Sequence, residues 1–269
     1  MMAPFPSPWL QGFRPVSAPC RTLVCFPYAG AGAAVFRDWA SDVGPDTELL
    51  AVRLPGRESR IGEPPLRRAE DAVSAILAAL QSLEDRPLIL FGHSLGAALA
   101  YATARALVAR GRPPALLVVS GRRAPHLPSR RSPSHALDDE AFRTRLIALG
   151  GTPPEVLACD ELMELMLPML RADFVMSDGF HEDGPSPLPV PILAFAGVED
   201  NEATVEEVSA WEQVAGAAFA LCTLPGGHFF LHEKRSLIVS QVQRSHFLWN
   251  YLQRPTSNGR NFDENNQFR

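Results

Sequence analysis

The chain has 269 residues, of which 46% are hydrophobic and 20% charged, and its 25 basic and 30 acidic side chains give a formal net charge of −5. This length suits one large α/β domain, or two small ones, with a sizeable core. A net acidic chain lacks the basic face that neutralises phosphates, so we expect no nucleic-acid partner. Lys234 is the single lysine, and all other Lys or Arg side chains of the sequence are arginines.

Short apolar runs alternate with stretches of helical periodicity along most of the chain. The predicted strands, in chain order, are Thr22–Phe26, Glu48–Arg53, Leu88–Phe91, Ala115–Ser120, Val190–Ala196 and Ala218–Leu224. The predicted helices are Val35–Val43, Ala69–Leu83, Leu95–Arg110, Thr204–Val214 and Lys234–Leu252. Strands that alternate with helices indicate an α/β fold, with a mostly parallel sheet and helices on both faces.

Residues 125–189 interrupt this alternation. They contain no predicted strand but do contain two helical patterns, Asp138–Leu149 and Glu155–Met176, with prolines on both sides. We interpret this segment as a helical insertion that forms a lid. Its second helix carries four methionines, which we interpret as ordinary core packing, the alternative being an adaptable apolar surface for ligands.

The remaining boundaries follow from composition. We expect a single domain over residues 21–253, an N-terminal extension over 1–20 and a disordered polar tail over 254–269. Residues 1–20 lack the apolar core of a secretory signal. Residues 87–104, a stretch without Asp, Glu, Lys or Arg, have His93 and Ser94 at their middle, so we expect no membrane span there. We also expect a cytoplasmic, monomeric protein.

Four cysteines lie far apart, without a Cys-x-x-Cys pair or a histidine at metal-ligand spacing. They are Cys20, Cys25, Cys159 and Cys222. We expect them to be reduced and mostly buried, and we expect no metal site.

The pentapeptide Gly92-His93-Ser94-Leu95-Gly96 matches the G-x-S-x-G pattern of a nucleophile elbow. The pattern alone is common, but here it follows a predicted strand and opens a predicted helix. Glycines are needed there because the nucleophile occupies a strained turn in which nearby side chains would collide. Ser94 then stands at a helix N-terminus, where N–H groups favour a developing oxyanion.

A serine hydroxyl needs a base and an orienting carboxylate. We predict His228 as the base because it lies on a glycine-rich turn after a strand, with His232 as the second candidate. We predict Asp200 as the acid, in preference to Glu199, because a short side chain on that turn suits an adjacent imidazole. The order Ser94, Asp200, His228 is that of α/β-hydrolases.

The oxyanion donors are predicted to be two backbone N–H groups, those of Ala29 and Leu95. Ala29 lies in the turn Phe26–Gly32, whose glycines let the backbone approach a substrate closely. As a nucleotide-binding loop this turn lacks the full G-x-G-x-x-G spacing and an acidic residue for a ribose.

Taken together, these motifs resemble the type II thioesterases that accompany polyketide synthases and nonribosomal peptide synthetases, over residues 21–252. The motifs are Phe26-Pro27-Tyr28-Ala29-Gly30, Leu54-Pro55-Gly56-Arg57, Gly92-His93-Ser94-Leu95-Gly96, Ser120-Gly121-Arg122, Asp200 and Gly227-His228. The resemblance implies a discrete α/β-hydrolase that removes misloaded or stalled acyl groups from the phosphopantetheine thiol of carrier domains, under a helical lid. No metal or organic cofactor of its own is expected, since the substrate carries the phosphopantetheine.

Arginines follow two predicted strands at the edge where the site is expected. One group is Arg53, Arg57 and Arg60, and the other is Arg122, Arg123, Arg130 and Arg131. Carrier domains are typically acidic, so we hypothesise that Arg57, Arg122 and Arg123 dock the carrier. The alternative is a solvated face with local ion pairs to the acidic insertion.

Two other functions remain open at this stage. A carboxylesterase or a chain-terminating thioesterase would use the same triad on another substrate. A non-catalytic binding protein of the hydrolase fold is more remote, because such proteins usually lack a triad member.

Overall fold

The apolar runs form a twisted sheet whose strands are nearly all parallel. The computed structural model describes residues 7–83, 86–130 and 132–252, with the backbone only for 246–252. Within these ranges the sheet has seven strands: β1 (Leu10–Gly12), β2 (Arg21–Phe26), β3 (Thr47–Val52), β4 (Leu88–His93), β5 (Leu116–Ser120), β6 (Ile192–Gly197) and β7 (Phe219–Leu224). Their order is β1-β3-β2-β4-β5-β6-β7, and only β1 is antiparallel to its neighbour.

The six predicted strands are confirmed, with ends displaced by at most two residues. The sequence did not predict β1, in which Leu10 pairs with Val52 and Gly12 with Leu50. Three residues are too few to give an alternating pattern, so this strand is defined by its pairing with β3 and has no signal of its own.

Helices cover both faces of the sheet. They are α1 (Trp39–Asp42), α2 (Ala69–Leu80), α3 (Leu95–Ala109), α7 (Val205–Ser209), α8 (Phe230–Glu233) and α9 (Arg235–Leu252), with α4 to α6 between β5 and β6. Successive residues of β2 enter opposite cores: Val24 packs with Ile76 of α2, and Leu23 with Ile238 of α9. Burial on both faces explains why the strands are continuous apolar runs.

Three predicted helices are shorter than expected, because each includes a 3₁₀ turn. The predicted helix Ala69–Leu83 is α2 followed by the turn Gln81–Leu83. The predicted helix Val35–Val43 is a 3₁₀ turn, Ala33–Phe36, followed by α1. The predicted helix Thr204–Val214 is α7 followed by a 3₁₀ turn, Ala210–Val214. Thr204 begins α7 with a capping box, because its hydroxyl accepts from the Glu207 N–H while the Glu207 carboxylate accepts from the Thr204 N–H.

Between β5 and β6 the chain forms α4 (Asp139–Leu149), α5 (Pro154–Leu157) and α6 (Asp160–Asp178). The predicted helix Glu155–Met176 is therefore wrong as one helix, because Cys159 is extended and separates α5 from α6. Asp160 and Glu161 in the first turn of α6 complement the helix dipole.

These three helices, which we call the lid helices, have a small core of their own. It consists of Phe142, Leu146, Met163, Met169, Leu170 and Phe174. The rings of Phe142 and Phe174 meet edge to face, with centroids 5.2 Å apart. Met163, Met169 and Met176 are all buried, which supports the interpretation of the methionines as packing residues.

Some sequence predictions concern other parts of the chain. The expected tail over 254–269 and Arg131 lie outside the described residues, as do residues 1–6 of the expected N-terminal extension. No helix in the described ranges is long and apolar enough to cross a membrane. All four cysteines are free, but only Cys25 is buried and Cys20 is exposed, so the prediction of mostly buried thiols is wrong.

At the end of β4, His93 pairs with Ser120 of β5 and is fully buried. Its Nδ1 lies 2.9 Å from the Ser120 hydroxyl. Burial, with a smaller effect from the nearby His228 and His232, lowers the pKa of His93 well below 6.5. The folded protein therefore keeps this ring neutral.

We expect Phe142→Ala to weaken the lid helices without unfolding the sheet. Loss of the buried ring should lower the local free energy of opening of residues 139–178 by about 3 kcal/mol. Hydrogen exchange on the intact protein measures this, with Ile147→Ala, whose side chain is 58% exposed, as the control. An equal rise in exchange throughout the sheet would contradict a separate lid core.

We expect His93 to make the protein acid-sensitive. Below about pH 6.5 the unfolded chain binds a proton that the folded protein does not, so the free energy of unfolding falls with falling pH, by at most ~1.4 kcal/mol per unit for one group. The lowered pKa of His232 acts in the same direction. Urea unfolding between pH 7.5 and 5.5 gives the slope of the free energy of unfolding against pH. This slope should be shallower for His93→Asn than for the parent and unchanged for His181→Asn, in which the replaced histidine is exposed. Equal slopes for the parent and His93→Asn would refute this.

Candidate active site

A strained turn between β4 and α3 places Ser94 at the carboxyl edge of the sheet. Ser94 has φ 53° and ψ −116°, a backbone conformation that residues other than glycine rarely adopt. A Cβ on Gly92 would lie 2.1 Å from the Gly96 carbonyl oxygen, and a Cβ on Gly96 would lie 2.0 Å from that of Phe26. Only glycine fits at either position, so the elbow geometry follows from the pentapeptide as predicted.

The predicted acid and base are in contact. Asp200, which follows β6, places Oδ2 2.8 Å from Nδ1 of His228, on the loop after β7. Its Oδ1 accepts from the backbone N–H groups of Glu202 and Ala203, at 2.7 and 3.1 Å. A buried carboxylate held by these bonds fixes the imidazole, and because Nδ1 is engaged, Nε2 is the nitrogen left for a proton transfer.

Ser94 and His228 line one cavity, together with Tyr28 and Ala29. In the described residues no hydrogen bond within 3.5 Å joins Ser94 to His228. Such contacts are often long without substrate and tighten when it binds.

One predicted oxyanion donor lines this cavity, and the other directly follows Ser94 in the chain. Leu95 is the first residue of α3, so its N–H lacks a partner within the helix. Ala29, in the loop after β2, lines the cavity. Both groups are near the nucleophile, but their catalytic role stays a prediction.

The alternative base, His232, has a different partner. Its Nε2 lies 3.1 Å from the hydroxyl of Tyr28. His228 is the better candidate base because it is the histidine that contacts the carboxylate of Asp200. Burial raises the pKa of Tyr28 to about 12, so this hydroxyl is neutral. The alternative acid, Glu199, is exposed.

The docking hypothesis is wrong for two of its three arginines, because both are buried. Arg57 is 4% exposed and forms a bidentate ion pair with Asp173 of α6, both distances being 2.7 Å. Arg122 is 6% exposed and donates to the hydroxyl and the carbonyl oxygen of Ser177 on α6. Burial beside Arg123 lowers the pKa of Arg122 to about 9. Both hold the lid helices, and too little of either side chain is exposed to form a docking surface for a carrier.

Arg123 is half-buried and lines the cavity, so its docking role stays a prediction. Two arginines of the insertion form ion pairs with acids that lie outside it. Arg130 pairs with Glu207, and Arg145 with Glu202, which joins the insertion to the segment after β6. Sequence reasoning missed Asp173, because one acid among many in a helix gives no sign of its partner.

The described residues contain no group of three or more His, Cys, Asp or Glu placed to hold a metal ion. The chemistry that the geometry supports is nucleophilic: a serine on a strained turn, a histidine oriented by a buried carboxylate, and two backbone N–H groups.

Comparison with known proteins identifies the family of the chain. The family model described as "Thioesterase domain" matches residues 21–245. Gramicidin S biosynthesis protein GrsT of Aneurinibacillus migulanus is 37% identical over 228 residues, covering 84% of this chain and 89% of that protein. Thioesterase PikA5 of Streptomyces venezuelae is 38% identical over 236 residues, covering 87% and 84%.

The solved structure of YbtT, a type II thioesterase from the yersiniabactin NRPS/PKS biosynthetic pathway, matches with a TM-score of 0.82 at 35% identity, covering 90% of this chain and 99% of that chain. The α/β-hydrolase fold and the resemblance to type II thioesterases are thereby confirmed. The chain belongs to the thioesterase family and is a hydrolase that acts on thioesters.

Proposed function

We propose that this enzyme hydrolyses acyl groups from the phosphopantetheine thiol of acyl or peptidyl carrier domains, and so clears misloaded or stalled synthases. The observation that carries the proposal is the Asp200–His228 contact beside Ser94 in one cavity. The similarity to GrsT, a gramicidin S biosynthesis protein, and to YbtT, from an NRPS/PKS biosynthetic pathway, supports the choice of substrate.

The mechanism runs through an acyl-enzyme. Nε2 of His228 takes the proton of the Ser94 hydroxyl while the oxygen attacks the thioester carbonyl, and the N–H groups of Ala29 and Leu95 stabilise the oxyanion. Collapse breaks the C–S bond, and His228 returns the proton to the departing sulfur. A thiol with a pKa of about 8.5 leaves readily, so little acid assistance is needed.

Deacylation repeats these steps with water. His228 takes a proton from the water that attacks the acyl-Ser94 carbonyl, and it then protonates the Ser94 oxygen as the acid leaves. Asp200 keeps Nδ1 protonated throughout and stabilises the imidazolium. All of this uses side chains and backbone N–H groups of the chain itself, and we propose that no metal or organic cofactor takes part.

Ser94→Ala and His228→Gln should each lower kcat for an acyl-carrier substrate by about 10⁴-fold or more, because the triad acts as a unit. His232→Gln should retain most of the activity, which separates the two candidate bases. Mass spectrometry of a carrier domain loaded with several acyl groups measures the loss of each acyl. Activity that survives in Ser94→Ala would refute the mechanism, and faster turnover of a matched ester would favour a carboxylesterase.

Arg123→Glu should raise KM for acyl-carrier substrates about fivefold, the equivalent of ~1 kcal/mol, and leave a small acyl-N-acetylcysteamine thioester unaffected. The matched control is Arg110→Glu, an exposed arginine at the far end of α3. Steady-state kinetics on both substrates at two salt concentrations provide the measurement. An equal loss on both substrates would eliminate Arg123 as a docking residue.

A further inference from the structure

A carboxylate from the lid helices contacts the loop that carries the proposed oxyanion donor. Asp173 of α6 is fully buried, and its Oδ2 accepts from the N–H of Gly30 at 2.8 Å. Gly30 directly follows Ala29, whose N–H is assigned to the oxyanion above. The contact joins residues 143 positions apart, so it exists only while α6 lies against this loop.

The loop itself is a tight turn. The N–H of Ala31 donates to the carbonyl oxygen of Tyr28 at 3.0 Å, and Gly30 has φ 80°. An i to i+3 hydrogen bond with a positive φ at the third residue is the pattern of a type II turn. The carbonyl of Tyr28 and the N–H of Ala29 belong to one peptide plane, so this bond also orients the Ala29 N–H.

A type II turn differs from a type I turn by rotation of its middle peptide, here the one between Ala29 and Gly30. Asp173 holds that peptide by its N–H. Arg57 holds the peptide between Ala31 and Gly32, at the end of the turn, because its Nη1 donates to the carbonyl oxygen of Ala31 at 3.0 Å while both Nη atoms bind Asp173 at 2.7 Å. A Cβ on Gly30 would lie 2.7 Å from Leu170 of α6, so the helix also packs directly on the turn.

Resting on the proposed function, we propose that Asp173 and Arg57 are positioning residues for the oxyanion hole, so that α6 must lie in place for the Ala29 N–H to point at the reacting carbonyl. Neither side chain touches the substrate. The ion pair acts through the turn, and the lid helix thereby supplies catalytic geometry in addition to covering the cavity.

The desolvated pair is suited to this task. Their side chains are only 5% and 0% exposed, so neither charge has water as an alternative partner. Removing one partner would leave the other charge buried and uncompensated, which is more costly than removing both. Stability and catalysis therefore respond differently to single and double substitution.

The test uses the full chain and a short acyl-N-acetylcysteamine thioester, so that carrier docking plays no part. Asp173→Asn and Arg57→Lys should each lower kcat by at least about tenfold, approaching the 10²- to 10³-fold effect of losing an oxyanion donor, with KM changed less than about threefold. Arg57→Lys keeps the positive charge, so it allows the test even if Asp173→Asn does not fold. The matched control is Glu182→Gln, which should keep kcat. Glu182, in the segment after α6, forms an ion pair with Arg105 of α3, so this variant alters a different ion pair of the same region.

A second readout separates positioning from simple stability. A trifluoromethyl ketone analogue, which forms a tetrahedral oxyanion on Ser94, should lose affinity in step with kcat, whereas an unreactive thioether analogue should bind as in the parent. In the double variant Arg57→Gln/Asp173→Asn, thermal stability should recover relative to Asp173→Asn while kcat stays low.

Unchanged kcat and ketone affinity in folded Asp173→Asn or Arg57→Lys would overturn the inference, and so would recovery of kcat together with stability in the double variant. A parent enzyme without Ser94-dependent thioester hydrolysis would instead refute the proposed function. The two failures are therefore distinguishable.

Discussion

The close approach of two backbones at the start of α3 determines where every other part of the site must lie. Gly96 leaves no room for a side chain beside the carbonyl of Phe26, and Gly92 leaves none beside Gly96. Helix α3 therefore starts directly against β2 and β4, and Ser94 is held in a backbone conformation that it would not adopt alone. The N–H of Ser94 donates to the carbonyl oxygen of Ser120, which ties the turn to β5 as well. Residues after β2, β6 and β7 reach the serine because parallel strands end at the same edge.

The sequence predicted the parts of this molecule that depend on local pattern. Strands buried on both faces are apolar runs, and the nucleophile elbow is recognisable in the sequence because its glycines and serine have fixed spacing. Asp200 and His228 were predictable because each follows a strand in the expected order, and they lie 2.8 Å apart. The strand β1 was not predictable, because its three residues are ordered by pairing with β3 and not by any property of Leu10–Gly12.

The errors concern long-range partners of charged side chains. Arg57 and Arg122 follow strands at the correct edge, but the charge count does not say whether a guanidinium faces solvent or a helix that is distant in sequence. Arg57 meets Asp173, 116 residues away, and Arg122 meets Ser177. A formal charge of −5 thus includes cations that are neutralised by, or buried against, the lid helices. The break at Cys159 was also not predicted, because the apolar pattern continues through it while the backbone of Cys159 is extended.

The use of arginine in place of lysine has a chemical consequence for a site that handles activated acyl groups. A lysine amine near a thioester is an acceptor, and its acylation would consume the enzyme, whereas a guanidinium remains protonated at neutral pH and is a poor nucleophile. Arg122, Arg123, Arg130 and Arg145 line the cavity, and no lysine does so among the described residues. The single lysine of the chain, Lys234, lies beside Glu233 between α8 and α9. The cavity therefore contains cations, two of them paired with Glu207 and Glu202, without offering an amine that would compete for the acyl group with Ser94, the proposed nucleophile.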